Sequence, residues 1–169
     1  MALIRPGMRE VKFKMITGKY LYPAYEAGRD LFHKNIRGAI VNLNLVRLKE
    51  KADYSAFPDL QPAGVVSGWD AFGHYVQETE PFLEASGGEI LFIGKGDRFL
   101  IGPAYEHWDI CMLIRQKSVG DFFAFEKNEA YMKITGHRMA AIEDSRLLPM
   151  QALLPQLIGS NNILDAIGW

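Results

Sequence analysis

Apolar and polar residues alternate along residues 39–48, which predicts a first β-strand. One face of this strand is fully apolar, whereas the other carries two amides at a spacing of two. The apolar face comprises Val41, Leu43 and Leu45, and the opposite face comprises Ile40, Asn42, Asn44 and Val46. We expect the apolar face to meet helices and the asparagine face to point away from them.

Helical spacing predicts three further regions. A short helix follows Pro23, a second begins at Ser67 and ends at the glycine pair after residue 86, and a helical region covers about residues 119–143. Ser67 is followed by an acidic residue three positions on, and Ser118 repeats this capping pattern. Asn128 is expected to break the last region into two pieces. A long loop is predicted for residues 49–67, because this segment contains two prolines and its hydrophobic residues show no clear helical or strand period.

Four more strand segments complete the pattern. EILFIG and a short returning RFLIG predict a hairpin, DICMLIRQ predicts a core strand, and RLLPMQALL predicts the last strand. Pro149 places that last strand at a sheet edge or bulge, because proline donates no ladder hydrogen bond.

The element order predicts an α+β fold of the split βαβ, ferredoxin-like type, with an antiparallel sheet and helices on one face. The other sheet face then stays bare, and such a patch exceeds what a monomer normally exposes. A second copy related by a two-fold axis is the simplest cover, so we expect a homodimer closed through its sheet faces, a dimeric α/β barrel. We divide the chain into an N-terminal arm with a short helix (1–36), the ferredoxin-like domain (37–153) and a tail packing on the dimer (154–169).

About residues 37–152 resemble a known family. The passages that carry the resemblance are GAIVNLNLVRLKEKADYS, GGEILFIGKGDRFLIGP and WDICMLIRQKSVGDFFAFEKNEAYMKITGHRMAAIEDSRLLP. They are similar to the family known as domain of unknown function 1330, within the dimeric α/β-barrel superfamily. The resemblance implies a ferredoxin-like fold that dimerises through its sheets, and it implies no particular reaction.

Composition and charge exclude several classes of binding partner and cofactor. The 169 residues carry a net charge of −1, without the clustered basic excess of a nucleic-acid-binding protein. No apolar run approaches the length of a membrane span, so we expect no membrane contact and a cytoplasmic location. Cys111 is the single cysteine, which excludes an internal disulfide and a thiolate-rich metal centre. The histidines are too scattered for a metal site, and we expect no cofactor.

Asn42 and Asn44 are the first candidate ligand-binding residues, because buried amides must bond to protein, water or ligand. One interpretation is an amide network that fixes strand register. The other is the polar wall of a small-molecule pocket.

Four further positions are candidates. Arg115 ends a core strand and either binds a carboxylate or pairs with a nearby acid. Trp108 either packs in the core or forms an aromatic lip with Tyr105. Arg138, beside His137 near a helix end, either favours the helix dipole or joins a binding site.

His137 is the weak catalytic candidate, as a general acid or base. The structural interpretation is favoured, because no partner at defined spacing accompanies it in the sequence. No complete catalytic motif appears elsewhere in the chain.

Two functions remain open at this point. The first is binding or processing of a small apolar or aromatic carbonyl or carboxylate compound in a pocket in the dimer interior. The alternative is a non-catalytic structural or protein-interaction module with no small-molecule ligand.

Overall fold

A single four-stranded antiparallel sheet organises this protein, and its strand order is β2-β3-β1-β4. The computed structural model describes residues 18–151. The predicted tail of residues 154–169 and residues 1–17 of the predicted N-terminal arm lie outside these residues.

The helices and strands follow the predicted order. They are α1 (Tyr25–His33), β1 (Ile40–Leu48), α2 (Gly68–Ala85), β2 (Glu89–Lys95), β3 (Ile110–Gln116), α3 (Val119–Glu126), α4 (Glu129–Ala141) and β4 (Ile142–Gln151). β1 pairs with both β3 and β4, and β2 pairs with β3, all antiparallel. This is the ferredoxin-like arrangement, so the α+β fold class is confirmed.

Side-chain caps set the helix boundaries as the sequence predicts. Ser67 accepts a hydrogen bond from the backbone N–H of Asp70, and Ser118 does the same for Asp121. Asn128 separates α3 from α4, and its Oδ1 accepts the first free N–H groups of α4. The predicted break at Asn128 is therefore confirmed, and its cause is the cap.

The main core lies between β1, β3 and the paired helices α2 and α4. Its buried members include Val46, Phe72, Met112, Ala140 and Ile142. Small alanines on α4 let this helix approach α2 and the sheet closely. A smaller cluster around Leu83, Phe125 and Tyr131 fills the space nearer to α3.

The predicted orientation of β1 is wrong. Val46 belongs to the helix-covered core, and Ile40 and Asn42 are also buried, so the strand's period of two places both asparagines on the helix face. The fully apolar set of Val41, Leu43 and Leu45 lies on the other face. Hydrophobicity could not decide between the faces, because both carry apolar side chains.

The face that the helices leave open carries apolar side chains from all four strands, with the charged residues Glu89, Arg115 and Arg146 at its two ends. Register places on it the side chains of Val41, Leu43, Leu45, Phe92, Cys111, Leu113, Leu148 and Met150. Phe92 and Leu148 are each more than half exposed. We call these eight residues the open sheet face.

The segment RFLIG does not form the predicted returning strand. Its only ladder contact among the described residues is an isolated bridge from Arg98 to His107. Leu100 and Ile101 are 100% and 92% exposed, and Phe99 and Tyr105 are also exposed. We call residues 99–105 the hairpin tip. β2 instead pairs with β3, and β4 lies at the sheet edge as Pro149 predicts.

Asn128→Ala should lower the free energy of unfolding by about 0.5–2 kcal/mol, because two N–H groups at the start of α4 lose their acceptor. Urea unfolding measures the change. Lys133→Ala, at an exposed position of the same helix, is the matched control and should leave stability nearly unchanged. Equal stability of the two variants would contradict the capping role.

Candidate functional site

Two tyrosines from different helices meet beneath α4. The hydroxyls of Tyr75 on α2 and Tyr131 on α4 are 2.8 Å apart, and Tyr131 is only 3% exposed. Within such a pair one hydroxyl donates its proton to the other. The second hydroxyl keeps a proton that it can donate to a third group, and Thr79 is a hydrogen-bonding neighbour of Tyr75 within the protein.

A buried polar atom near this pair has no hydrogen-bond partner among the described residues. It is Oδ1 of Asn42, whose side chain is 2% exposed. Thr79 lies one turn after Tyr75 on α2. Asn42 lies opposite Ile114 in the sheet, and Ile114 packs against the cluster that contains Tyr131. We call Asn42, Tyr75, Thr79 and Tyr131 the tyrosine cluster.

This unpartnered atom is a physical anomaly that needs a cause. Leaving a buried acceptor unsatisfied costs about 1–3 kcal/mol, and folded proteins almost always avoid it. A polar group in this position is retained without penalty when a water molecule or a ligand supplies the missing donor. The tyrosine cluster is therefore the candidate binding site.

Charged groups flank the tyrosine cluster. Burial raises the pKa values of both Tyr75 and Tyr131, so their hydroxyls stay protonated and act as donors. The guanidinium of Arg138 opposes this rise for both hydroxyls. Glu126 at the end of α3 is exposed as a residue, yet crowding around its carboxyl group raises its pKa, again against the effect of Arg138.

Asn44, the other predicted amide, bonds within its own strand. Its Nδ2 donates to the backbone oxygen of Asn42 at 3.2 Å. The structure thus separates the two asparagines: one has a protein acceptor for its amide, and the other has a buried oxygen with no donor among the described residues.

The remaining predicted positions lie away from the tyrosine cluster. Arg115 lies on the open sheet side and pairs with Glu89 at 2.9 Å, both half exposed. Trp108 is buried, with the guanidinium groups of Arg47 and Arg146 about 5 Å from its ring. Tyr105 is exposed on the hairpin tip and makes no described ring contact with Trp108, so the predicted aromatic lip is not formed.

His137 has partners that the sequence did not indicate. Its Nδ1 is 2.8 Å from the hydroxyl of Tyr54 in the long loop, and its Nε2 is 3.7 Å from a carboxylate oxygen of Glu78. Burial lowers the pKa of His137, with Glu78 opposing and His74 reinforcing the effect. Burial also raises the pKa of Tyr54, so its hydroxyl keeps the proton that it donates to Nδ1. These contacts tie the long loop to α2 and α4, as the structural interpretation requires.

Sequence reasoning missed three members of the site, namely Tyr75, Thr79 and Tyr131. Thr79 lies at helical spacing with Phe72, Val76 and Leu83 of α2, where a hydroxyl among large apolar residues is the one available signal. Nothing in the local sequence connects Tyr75 with Tyr131, since they are 56 residues apart and meet only through tertiary packing.

A second concave feature lies between α2 and β2. This open groove of about 520 Å³ is lined by apolar side chains that include Trp69, Phe72, Val76 and Ile93, with the ammonium of Lys95 above the Trp69 ring. None of the unpartnered buried polar atoms lies in its lining. The polar side chains that line the groove, Gln77, Glu80 and Lys95, are not among the buried unpartnered groups.

Within residues 18–151 no group of three or more histidine, cysteine or acidic residues is arranged to hold a metal ion. In the same residues no helix combines the length and hydrophobicity needed to cross a membrane.

Stability should fall as the pH drops below about 6.5, the ordinary pKa of histidine. His137 has a lowered pKa in the folded state, so the unfolded chain takes up a proton before the folded chain does, and protons then favour unfolding. Urea unfolding at about pH 7.5 and about pH 5 measures the loss. His137→Gln should reduce this loss, whereas the control His33→Gln, at an exposed position, should not. The same loss in both variants would contradict the assignment.

The comparisons with known proteins give one family. No protein-family model and no curated protein matches the chain, so the resemblance to domain of unknown function 1330 stays an expectation. Two weaker similarities are to a DABB family protein with a ferredoxin-like fold from Mesorhizobium loti and to a dimeric protein of unknown function from Bacteroides fragilis. The first has 12% identity, a TM-score of 0.42 and coverage of 69% of this chain and 98% of that chain. The second has 13% identity, a TM-score of 0.36 and coverage of 68% and 96%.

A much stronger similarity is to RPA0582 of Rhodopseudomonas palustris, a protein of unknown function. The two sequences are 31% identical, the match covers 82% of this chain and 100% of that chain, and the TM-score is 0.72. A second structure, of methylated RPA0582, gives the same identity and TM-score with 98% of that chain covered. The chain belongs to the family of RPA0582.

Proposed function

We propose that this protein binds a small, mainly apolar compound that carries a carbonyl or carboxylate group, and that it does so at the tyrosine cluster. The observation that carries the proposal is the buried Oδ1 of Asn42 with no donor among the described residues. The Tyr75–Tyr131 hydroxyl pair, with Thr79 as a hydrogen-bonding neighbour of Tyr75, adds further polar groups to the site. Few, well-placed polar groups in an apolar setting are typical of small-molecule sites.

The surroundings of the tyrosine cluster match such a compound. Leu83, Phe125 and partly buried Ile114 and Ile134 supply apolar contacts. The spare phenolic proton suits a carbonyl or carboxylate oxygen, while Oδ1 of Asn42 requires a donor from the ligand. A ligand with one acceptor group and one hydroxyl group would satisfy both.

The proposed pocket differs in place from the one expected in the dimer interior. Because Asn42 and Asn44 face the helices, they cannot line a space between two facing sheets. The pocket is placed instead within each subunit, between the sheet and the layer formed by α2, α3 and α4.

We also propose a homodimer closed through the open sheet face. This face carries apolar side chains from all four strands, and Phe92 and Leu148 on it are more than half exposed. Such a continuous apolar patch is typical of a protein interface. A two-fold axis would bury the same residues on both copies. A cytoplasmic location is part of the proposal, supported by the single cysteine and the near-neutral charge.

A second candidate function is a protein-interaction module, favoured by the hairpin tip. Leu100 and Ile101 point into solvent at the end of a connection whose base is fixed by backbone hydrogen bonds between residues 96–97 and 108–109. Large aliphatic side chains this exposed on an ordered base are suited to insertion into a partner protein.

Asn42→Leu should weaken binding of para-hydroxyphenylacetate about tenfold or more. The variant removes one neutral hydrogen bond to the ligand, and the loss of one such bond lowers affinity by roughly this factor. The same variant should raise the unfolding free energy of the ligand-free protein by about 1–3 kcal/mol, because it removes an unsatisfied buried acceptor. NMR titration and urea unfolding measure the two effects.

Asn44→Leu is the matched control for Asn42→Leu. It removes a hydrogen bond that is made within the protein, so it should not raise stability and should leave probe binding within about twofold of wild type. A loss of stability in Asn42→Leu together with unchanged binding would contradict the proposed site.

Leu113→Glu should convert the proposed dimer to a monomer, because two-fold symmetry would place two carboxylates in an apolar interface. Light scattering after size-exclusion chromatography measures the mass. Leu100→Glu, on the hairpin tip, is the control and should leave the dimer intact. Dissociation by Leu100→Glu alone would refute the sheet-face dimer and support the second candidate function.

A further inference from the structure

The groove between α2 and β2 has the dimensions of a ligand site. Its volume of about 520 Å³ lies within the range of small-molecule clefts. Six residues on one side of α2 line it, namely Trp69, Phe72, Gly73, Val76, Gln77 and Glu80. From the first to the last of these the helix rises by about 16 Å. The groove is therefore elongated along the helix axis, and we call it the α2–β2 groove.

The position of α2 leaves this groove open. α2 packs against α4 and β1, whereas β2 is an edge strand of the sheet. Register places Ile93 opposite Met112 and Lys95 opposite Ile110, so both side chains lie on the helix side of the sheet. Trp69 on one wall and Ile93 on the other are each 49% exposed. Both walls thus present apolar surface to water, and an apolar occupant would be stabilised by covering it.

Gly73 keeps the middle of the α2–β2 groove empty. It lies inside α2, where glycine destabilises a helix relative to alanine. Apart from its own helix backbone and its chain neighbours, no described atom comes within 4 Å of the position that a Cβ would take. Packing among the described residues therefore does not require glycine here. A molecule that lies against the helix backbone in the groove would require it.

The two ends of the α2–β2 groove differ in charge. The ammonium of Lys95 lies 5.7 Å from the centre of the Trp69 ring, whereas Glu80 lies at the other end of the lining. No salt bridge within residues 18–151 includes either Lys95 or Glu80. Asp70, which follows Trp69, does not line the groove and bonds to the hydroxyl of Ser67. An anionic group is therefore attracted to the Lys95 end and repelled from the Glu80 end.

We propose that the α2–β2 groove binds a monocarboxylate with a linear apolar chain, such as a fatty acid. The chain lies along α2 over Gly73, between Val76 and Ile93, and the carboxylate pairs with the ammonium of Lys95. The elongated apolar lining selects the linear chain, and the difference in charge between the ends selects its orientation. This site is separate from the tyrosine cluster, none of whose members lines the groove.

A protein segment is the competing occupant, because exposed apolar walls are also typical of protein contacts. A surface that is complementary to a protein gives no preference among short chains that differ only in the charge of the end group. The two occupants are therefore separable with probes of equal length and different charge.

Isothermal titration calorimetry of the full chain at neutral pH compares octanoate, octan-1-ol and octylammonium. Octanoate should bind about threefold to fivefold more tightly than octan-1-ol, as expected for an ion pair at a partly exposed position. Octylammonium should bind most weakly, because its charge is repelled by Lys95. Lys95→Met should abolish these differences while octan-1-ol still binds. Lys133→Met, at an exposed position of α4, is the matched control and should preserve them.

Gly73→Leu places a side chain in the groove and should lower the affinity for octanoate at least tenfold, since it displaces two or more CH₂ groups of the probe from apolar contact. Gly28→Leu is the matched control. Gly28 also lies inside a helix with nothing within 4 Å of its Cβ position, but that helix is α1, which does not line the groove. Circular dichroism checks that each variant folds.

Three results would overturn the inference. Equal affinity for the three probes, or an unchanged preference for octanoate in folded Lys95→Met, refutes recognition of the carboxylate. Unchanged affinity in folded Gly73→Leu places the binding outside the groove. Absence of binding for all three probes leaves the groove as a surface for a protein segment. The proposal for the tyrosine cluster stands or falls separately, because it is tested with a different probe and different variants.

Discussion

Alternation of side chains along a four-stranded sheet gives this fold two faces, and both are lined by apolar residues. The helices cover one face, and Val46, Phe72 and Met112 meet there in the main core. Among the described residues, the other face keeps Leu43, Leu113 and their neighbours without a helical cover. Apolar area exposed to water is unfavourable, and this is the physical basis of the proposed sheet-face dimer.

Much of the architecture follows from local signals in the sequence. Ser67, Ser118 and Asn128 mark helix starts because their side chains accept backbone N–H groups, and the structure contains these hydrogen bonds. Pro149 marks an edge strand because it donates no ladder hydrogen bond. Such signals act over a few residues, so a single sequence is enough to read them.

The parts that could not be predicted depend on tertiary packing. The predicted orientation of Asn42 is wrong because an apolar strand face indicates burial but does not indicate whether helices or a second sheet cover it. RFLIG has strand-like composition, yet β3 takes the pairing positions next to β2 and leaves Leu100 in solvent. The contact of Tyr75 with Tyr131 joins two helices that no local pattern relates. The candidate site is therefore mostly a product of the fold, and the sequence indicated only Asn42 within it.

His137 and the tyrosine cluster differ in whether their buried polar atoms have hydrogen-bond partners. This difference makes the tyrosine cluster the stronger candidate for binding. His137 has both ring nitrogens near polar partners, Tyr54 and Glu78, so its burial is compensated within the protein. Asn42 keeps a buried oxygen that no described residue satisfies. A buried polar group with partners stabilises the loop that contacts it. A buried polar group without partners lowers the stability of the fold, and another molecule that supplies the missing hydrogen bond recovers this free energy as binding affinity. The distinction between the two sites therefore lies in unmet hydrogen-bonding capacity, not in the reactivity of the residue type.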